Sequence, residues 1–243
     1  MSKNTIKIAN CSGFYGDRLS AAKEMVDGGP IDVLTGDYLA ELTMAILYGQ
    51  KIQRGEKAGY VGTFLKQLKQ IASSCSEKNI KVVSNAGGLN PKSMAEEVKN
   101  ILDSEGLNLK VAYIDGDDFM DKFDELKKNG EELKNLDTGV SLFKQSLPAV
   151  SANYYLGCWG IKQALDEGAD IVICPRVTDA ALVMGPAAWK FNWSRDDYDK
   201  LAGSLAAGHI IECGAQATGG NYSFFKEVPS FQNVGFPIAE IEE

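Results

Sequence analysis

Five short hydrophobic runs, each followed by a polar corner that contains glycine or proline, constrain this fold more than any other feature. Amphipathic segments of helical length separate the runs, and that alternation predicts β-α-β units and a parallel sheet. In such a sheet the loops at the carboxyl ends of the strands share one edge, where ligands bind. The sequence therefore predicts an α/β fold, a largely parallel Rossmann-like sheet flanked by helices, with a ligand site at one edge. The runs are Ile6–Ala9, Ile31–Leu34, Ile80–Val83, Leu109–Ile114 and Ile171–Ile173.

The helices are predicted from apolar residues that recur at helical spacing. In the second helix this spacing places Leu39, Leu42, Ile46 and Leu47 toward the sheet, before a charged connector at 51–59. The charged stretch Asp121–Asp137 is typical of a solvated helical excursion. The predicted helices are Leu19–Val26, Tyr38–Leu47, Tyr60–Ser74, Asn90–Ser104, Ala152–Glu167 and Arg195–Ala207.

The chain is long enough, at 243 residues, for one large α/β domain or for a domain with a subdomain. We expect residues 1–186 to form the α/β core and residues 187–243 to form a smaller, irregular or β-rich cap or subdomain. The net charge of −8 argues against binding to nucleic acid or to anionic membranes, because both need a basic surface. No apolar stretch reaches the ~20 residues of a membrane-spanning helix, and the N-terminus lacks the apolar core of a signal peptide. We therefore expect a cytoplasmic protein.

The five cysteines favour reduced thiols over a disulfide scaffold or a zinc ribbon. They contain no C-x-x-C pair, and their odd number leaves one unpaired in any disulfide scheme. Cys11 and Cys174 stand at predicted strand ends. A nucleophilic thiol there would need a positive, accessible setting, and a buried packing role is the commoner case.

The first corner, Asn10–Arg18, precedes a helix whose first N–H groups are suited to an anion. Its glycines match neither the GxGxxG fingerprint nor the phosphate loop GxxxxGK[ST], so no dinucleotide, ATP or other cofactor is predicted. Asn10, Ser12 and Arg18 are nevertheless candidates for substrate binding, and Arg18 equally suits a structural pairing. The second corner holds Asp37, a candidate catalytic residue that would also serve as a helix cap.

Two later corners offer complementary chemistry. The turn at Asn85, Gly87 and Gly88 presents an amide and backbone N–H groups suited to a carbonyl or carboxylate oxygen, although a tight turn explains the glycines equally well. Arg176 beside Asp179 is suited to holding a carboxylate or phosphate through its guanidinium fork. A structural ion pair would have the same sequence.

His209 is the only histidine and lies in the most site-like segment, with Glu212 and Cys213 close by. Histidine is the side chain best suited to acid–base work near neutral pH, while a structural histidine is the alternative. A Cys213–His209 nucleophilic pair is the weaker interpretation. Asp115, Asp117 and Asp118 resemble a cluster for a hard metal ion, but acidic turns are common and we predict no metal.

Taken together, these segments resemble the acyclic terpene utilisation family of AtuA-type proteins from residue 6 to about residue 238. The stretches that carry the resemblance are Ile8–Arg18, Asp32–Glu41, Asn85–Pro91, Arg176–Leu182 and Gly208–Gly220. The resemblance implies catabolism of branched, terpene-derived acids carried as CoA thioesters. Family relatives continue past Ile238, so the resemblance also implies either a trimmed chain or a split protein whose second polypeptide completes the fold.

We therefore expect an enzyme, in an oligomer, that acts on a small carboxylate or acyl-CoA by lyase or hydratase chemistry. Arg176 would hold an anionic group, the 85–88 loop would polarise a carbonyl, and Asp37, Asp179 or His209 would move the proton. One alternative is a non-catalytic ligand-binding or assembly subunit of a split complex; another is a metal-dependent hydrolase. The subunit alternative draws on aromatic residues that the sequence suggests are exposed, namely Trp189, Phe191, Trp193, Phe224 and Phe225.

Overall fold

A six-stranded sheet forms the centre of the computed structural model, which describes residues 4–146 and 148–243. The strands lie in the order β4-β5-β3-β2-β1-β6. The first five along the chain are parallel, and β6 pairs antiparallel with β1. This arrangement confirms the predicted α/β fold with a largely parallel sheet. The strands are β1 Thr5–Asn10, β2 Val33–Gly36, β3 Lys81–Ser84, β4 Val111–Tyr113, β5 Ile171–Ile173 and β6 Ile238–Glu242.

Each of the five predicted strands is present, with small changes at its ends. β4 is shorter than the run Leu109–Ile114 because it is an edge strand with a partner on one side only. The sixth strand lies at the end of the 187–243 segment, for which an irregular or β-rich part was expected but no individual strand was predicted. Its residues alternate between exposed and buried, as expected for a half-buried strand.

Eight α-helices flank the sheet in the part of the chain that the structure describes. α4 has the predicted bounds, and its cap is the side chain of Asn90, which accepts a hydrogen bond from the N–H of Ser93 at 3.2 Å. Pro91 occupies its first turn, where the missing N–H costs nothing. The helices are α1 Ala21–Gly28, α2 Glu41–Arg54, α3 Gly62–Lys78, α4 Pro91–Ser104, α5 Phe123–Lys128, α6 Trp159–Asp166, α7 Ala181–Lys190 and α8 Tyr198–Ile211.

The prediction for α2 was wrong in its bounds and in part of its buried face. The helix begins at Glu41 and runs on to Arg54, through residues that were expected to form a connector. Leu42 is 73% exposed, whereas Met44 and Leu47 are buried. The buried stripe is thus rotated around the helix from the predicted one, since Leu42 and Ile46 lie one turn apart on its outer side.

The predicted long helix Ala152–Glu167 was wrong over its first half. Residues 152–158 are irregular, and Leu156 instead forms an isolated parallel bridge with Val177. Its N–H donates to the carbonyl of Arg176, and its own carbonyl accepts from Thr178. This tertiary pairing replaces helical hydrogen bonds and brings Tyr155 against Arg176. The helix expected over Asp121–Asp137 is likewise reduced to a short 3₁₀ turn and α5.

Two hydrophobic cores cover the two faces of the sheet. One packs α1, α3 and α4 on residues such as Leu34 and Val82, and the other packs α6 and α7 on Val33 and Val83. Neighbouring strand residues serve opposite cores because successive side chains point to opposite faces. The proposed boundary at residue 186 falls within α7, and the domain division stays a prediction.

The aromatic residues of the 187–243 segment divide between interior and surface. Trp193 is buried and stacks on Phe191, with 5.3 Å between the ring centroids, so the expectation that it is exposed was wrong. Phe224 and Phe225 are exposed. None of the helices in the described residues combines the length and the apolar character that crossing a membrane requires.

Candidate functional site

Three carboxylates from distant parts of the chain meet at the carboxyl edge of the sheet. Asp37 follows β2, Asp179 follows β5, and Glu212 stands at the end of α8. One oxygen atom of each lies within 4.8 Å of the corresponding atoms of the other two. We call these three residues the carboxylate cluster. Asp37 and Asp179 are predicted catalytic residues, and the third member, Glu212, was expected from the sequence to bind substrate.

Asp37 is held in place by the ends of the neighbouring strands. Its side-chain Oδ1 accepts hydrogen bonds from Asn85 Nδ2 at 2.5 Å and from the N–H of Leu39 at 3.3 Å, and its own N–H donates to the carbonyl of Ser12. Asp37 is only 6% exposed. The helix-capping role that the sequence left open does not apply, because α2 begins at Glu41 and its N-cap is Ala40.

Burial raises the pKa of two members of the carboxylate cluster. Desolvation raises the pKa of Asp37 to about 7, against the lowering effect of the Asn85 hydrogen bond, and the charge of Asp179 raises it further. Desolvation also raises the pKa of Glu212 to about 7, and Asp179 again adds to the effect. Carboxylic acids that titrate near neutrality are suited to giving and taking protons.

His209 lies at the rim of the cluster. Its side chain is 74% exposed, and its Nε2 is 3.5 Å from Glu212 Oε1, one helical turn away along α8. The Cys213 thiol contacts the same oxygen at 3.9 Å. Desolvation and the charge of Glu212 raise the pKa of Cys213, which disfavours the thiolate that a Cys213–His209 nucleophilic pair would need.

Most of the N–H donors of the Arg176 guanidinium are hydrogen-bonded to other residues of the protein. Nη1 donates to the carbonyl of Leu39 at 2.8 Å, and Nη2 donates to Glu41 Oε1 at 3.1 Å and to the Tyr155 hydroxyl at 3.0 Å. The ring of Tyr155 also covers the guanidinium, with Cζ 4.5 Å from the ring centroid. Arg176 is thus a buried structural cation that sits 3.8 Å from Asp179 Oδ1, and the fork expected to hold a substrate anion is largely occupied.

Two of the predicted binding residues of the first corner hold the cluster in place through hydrogen bonds that involve backbone groups. Asn10 Nδ2 donates to the carbonyls of Ile211 and Glu212 at 2.7 and 2.8 Å, which fixes the end of α8 over the sheet. The Ser12 carbonyl accepts from the N–H of Asp37 at 2.9 Å, while the Ser12 hydroxyl donates to the carbonyl of Phe14. Both side chains are buried.

Arg18, the third predicted binding residue of that corner, faces another part of the molecule. It pairs with Glu24 at 2.6 Å and donates to the carbonyl of Val234 at 2.7 Å. Its guanidinium carbon lies 4.7 Å from the centroid of the Phe236 ring. Arg18 therefore ties the C-terminal segment to α1, and these contacts do not bring it to the carboxylate cluster.

The glycines of the 85–88 loop serve close packing. A Cβ atom on Gly87 would lie 2.6 Å from the carbonyl oxygen of Cys174, and one on Gly88, whose φ is +54°, would lie 2.4 Å from Leu47 Cδ1. The N–H groups of Gly87 and Gly88 donate to the carbonyls of Cys174 and Asn85. These groups are therefore occupied rather than open to a substrate carbonyl, and the Asn85 side chain is what this loop contributes to the cluster.

The carboxylates of the acidic turn at 115–118 accept hydrogen bonds from other groups of the protein. Asp117 is buried and accepts from Asn153 Nδ2 at 2.9 Å and from the N–H of Arg176 at 3.1 Å. Asp115 and Asp118 accept from the backbone N–H groups of Gly116 and Met120. Among the described residues, the group able to hold a metal ion is instead the carboxylate cluster. Within the described residues, no other group donates a hydrogen bond to the buried oxygens Asp179 Oδ1 and Glu212 Oε2, and carboxylate oxygens are the ligands of hard divalent cations.

The sequence reasoning missed two residues of this site, Glu41 and Tyr155, which surround Arg176. Tyr155 lay within a predicted helix, so nothing in the local pattern placed it against the strand end. Together with Arg176 these residues line a small cavity of about 180 Å³.

Comparison with known proteins identifies the family. No curated protein and no solved structure matches the chain significantly. The family model described as acyclic terpene utilisation family protein AtuA matches residues 6–243, which include all the sequence stretches and site residues discussed above. The chain therefore belongs to the acyclic terpene utilisation family, AtuA.

Proposed function

We propose that this chain is a cytoplasmic enzyme of branched-acid or acyclic terpene-type catabolism that moves protons on a small carboxylate or an acyl-CoA, in a lyase or hydratase reaction. The observation that carries the proposal is the convergence of Asp37, Asp179 and Glu212, whose oxygens lie within 4.8 Å of one another. The family context supports the catabolic setting.

The cluster contains the two functions that such a reaction needs. Dehydration removes a proton from the carbon next to the carbonyl and adds a proton to the departing hydroxyl, so one carboxylate must act as base and one carboxylic acid as acid. Asp37 and Glu212 each have a pKa raised to about 7, so each can be present as the acid or as the carboxylate near neutral pH. Neighbouring carboxyl groups divide the two roles in this way when their like charges oppose full ionisation.

His209 connects this buried pair to solvent. Its ring contacts Glu212 at 3.5 Å and is mostly exposed, so it is placed to exchange protons between Glu212 and water. Asn85 fixes the orientation of Asp37 and leaves the carboxylate's other oxygen, Oδ2, for the reaction. Arg176 Nη1 lies 3.8 Å from Asp179 Oδ1, so its positive charge balances part of the negative charge of the cluster.

Hydrogen exchange on the substrate tests the proposal directly. Wild-type protein is incubated in D₂O with a panel of acyl-CoA thioesters, and deuterium at the α-carbon is measured by mass spectrometry. We expect Asp37→Asn and Glu212→Gln to slow exchange by roughly 10²–10⁴-fold, the usual contribution of a general acid or base. Asp199→Asn, which changes an exposed carboxylate on α8, serves as the matched control and should leave the rate unchanged. Unchanged exchange in folded Asp37→Asn and Glu212→Gln would reject the acid–base role.

A second candidate function is metal-dependent chemistry at the same cluster, favoured by the two buried carboxylate oxygens that lack partners. A divalent cation bound to the folded state would raise the unfolding temperature as its concentration rises. We expect Mg²⁺ or Mn²⁺ to do so in the wild type and not in Asp179→Asn if the cluster binds metal. Equal unfolding curves with a cation and with a chelator would leave the metal-free proton-transfer function as the only candidate.

A further inference from the structure

A second polar region lies beside the site and is not used by the proposed chemistry. It is a cavity of about 480 Å³ between α2, α3 and the first corner, within the range of small-molecule sites. We call it the basic pocket. Its polar lining includes Tyr15, Gln50, Arg54, Lys57, Thr63 and Lys66.

The basic pocket gathers positive charge in an acidic protein. In the part of the chain that the structure describes, three cations, Arg54, Lys57 and Lys66, line it together with no carboxylate, although the net charge of the chain is −8. Within 4–146 and 148–243, none of the three forms an ion pair or a side-chain hydrogen bond. The neighbouring Lys51, by contrast, is paired with Glu56 at 3.1 Å. Unpaired cations around one concavity attract anions by their summed potential.

The uncharged groups of the pocket are also donors. α3 begins at its wall with Val61 as N-cap, so no side chain caps its first N–H groups, and its first turn contains no acidic residue. Among the described residues, the Thr63 hydroxyl oxygen is buried without a hydrogen-bond partner. Gln50 Nε2 donates to the Tyr15 hydroxyl oxygen at 3.0 Å, and both side chains line the pocket. A free helix N-terminus beside arginine and lysine is a favourable setting for phosphate, because N–H dipoles and cations act on the same oxygens.

The basic pocket is connected to the carboxylate cluster by short stretches of chain. Gly13 packs against the backbone of Cys213, next to Glu212, and Tyr15 lines the pocket two residues further on. Two residues span at most about 7 Å. On the other side, the N–H of Val61 donates to the carbonyl of Ala86 at 2.8 Å, beside the Asn85 that holds Asp37. The basic pocket and the carboxylate cluster therefore lie within the length of one extended ligand.

We propose that the basic pocket binds the phosphate groups of an organic phosphate ligand whose reacting end lies at the carboxylate cluster. The phosphates of a CoA thioester are one source of this chemistry, and that identification alone rests on the proposed function. A free nucleotide is another source, and pyrophosphate serves as a probe of the phosphate contacts alone. The unpaired cations, the uncapped start of α3 and the threonine hydroxyl without a partner support phosphate binding whatever molecule carries the phosphate.

Calorimetric titration with three probes at fixed ionic strength tests the proposal: CoA, pyrophosphate, and pantetheine, which has no phosphate. We expect CoA and pyrophosphate to bind and pantetheine not to bind. The double variant Lys57→Ala, Lys66→Ala should weaken binding at least tenfold. Lys69→Ala, an exposed lysine on the same helix that does not line the pocket, should bind as the wild type does. Unfolding curves of all variants confirm that they are folded.

The outcomes separate the pocket from the proposed reaction. Pyrophosphate binding without CoA binding supports the phosphate site and counts against CoA as its source. Pantetheine that binds as tightly as CoA, or affinities unchanged in the double variant, would overturn the proposal. Asp37→Asn is expected to retain CoA binding even though it loses hydrogen exchange, so failure of the acid–base role does not affect this test.

Discussion

The carboxylate cluster and the basic pocket lie at the same edge of the sheet and are built in opposite ways. Asp37 and Asp179 come from corners after buried strands, and backbone groups and a buried amide hold Asp37 rigidly. The cations of the basic pocket stand on the exposed surfaces of two helices and the loop between them, and none has an ion-pair partner among the described residues. Burial creates the altered acidity that proton transfer needs, whereas anion capture needs charges that remain free and hydrated until the ligand arrives.

Arginines in the two regions illustrate the same contrast. Arg176 is buried, and its donors are satisfied by Leu39, Glu41 and Tyr155. Arg54 is exposed and unpaired within the described part of the chain. One supports the fold, and the other is available to a ligand. The largest expected differences between the two regions should therefore appear in stability.

Replacing each arginine by alanine tests most directly whether the two regions differ in their contribution to the free energy of unfolding. Arg176→Ala should lower the free energy of unfolding by about 3 kcal/mol, because it leaves a buried carbonyl and Asp179 without their cation. Arg54→Ala should change it by less than about 0.5 kcal/mol, as expected for an exposed surface residue. Urea unfolding followed by circular dichroism measures both values. Equal losses would show that Arg176 is not the structural cation described here.

The pH dependence of stability reports on the buried carboxylate of Asp37 in the cluster. The pKa of Asp37 is raised from 3.8 to about 7, so between these values the folded protein holds a proton that the unfolded chain has released. The contribution of Asp37 to stability is therefore fully present below pH 3.8 and is lost as the pH rises to about 7. Asp37→Asn keeps the acceptor for Asn85 and removes the buried charge.

We expect Asp37→Asn to exceed the wild type in unfolding free energy by about 1–4 kcal/mol at pH 8, with the difference vanishing near pH 4. Urea unfolding from pH 4 to pH 8 provides the measurement, and Asp199→Asn should follow the wild-type curve. A variant that is less stable than the wild type at pH 8 would mean that the Asp37 carboxylate is stabilised by its surroundings rather than penalised by burial.

We expect the smallest difference between the two regions in their response to ionic strength. The cations of the basic pocket are exposed, so salt screens their attraction for a phosphate, and pyrophosphate affinity should fall roughly threefold to tenfold between low and high salt. The stability difference between Asp37→Asn and the wild type should change little over the same range, because a buried group is poorly screened. An affinity for pyrophosphate that is independent of salt would contradict binding by these cations.

Much of the carboxylate cluster could be predicted from the chain, and the basic pocket could not. Asp37, Asn85 and Asp179 follow hydrophobic runs, and parallel strands bring such corners to one edge whatever their separation in sequence. Arg54, Lys57 and Lys66 carry no such signal, because charged residues on helices usually face solvent without function. Their convergence depends on how α2 and α3 pack, and the exposed face of α2 differed from the predicted one.

The sequence predicts the parallel sheet, the helix that ends at Ser104 and the edge at which the acidic residues meet. These features depend on local periodicity, on the proline in the first turn of that helix and on the chirality of β-α-β connections, all of which are properties of short stretches of chain. Which polar groups are free depends instead on tertiary packing. In the described part of the chain, packing pairs Arg176 with Glu41 and Tyr155, occupies the N–H groups of the 85–88 loop and leaves the basic pocket without a carboxylate. Hydrogen-bond partners distant in sequence are chosen by packing, and local patterns do not record that choice.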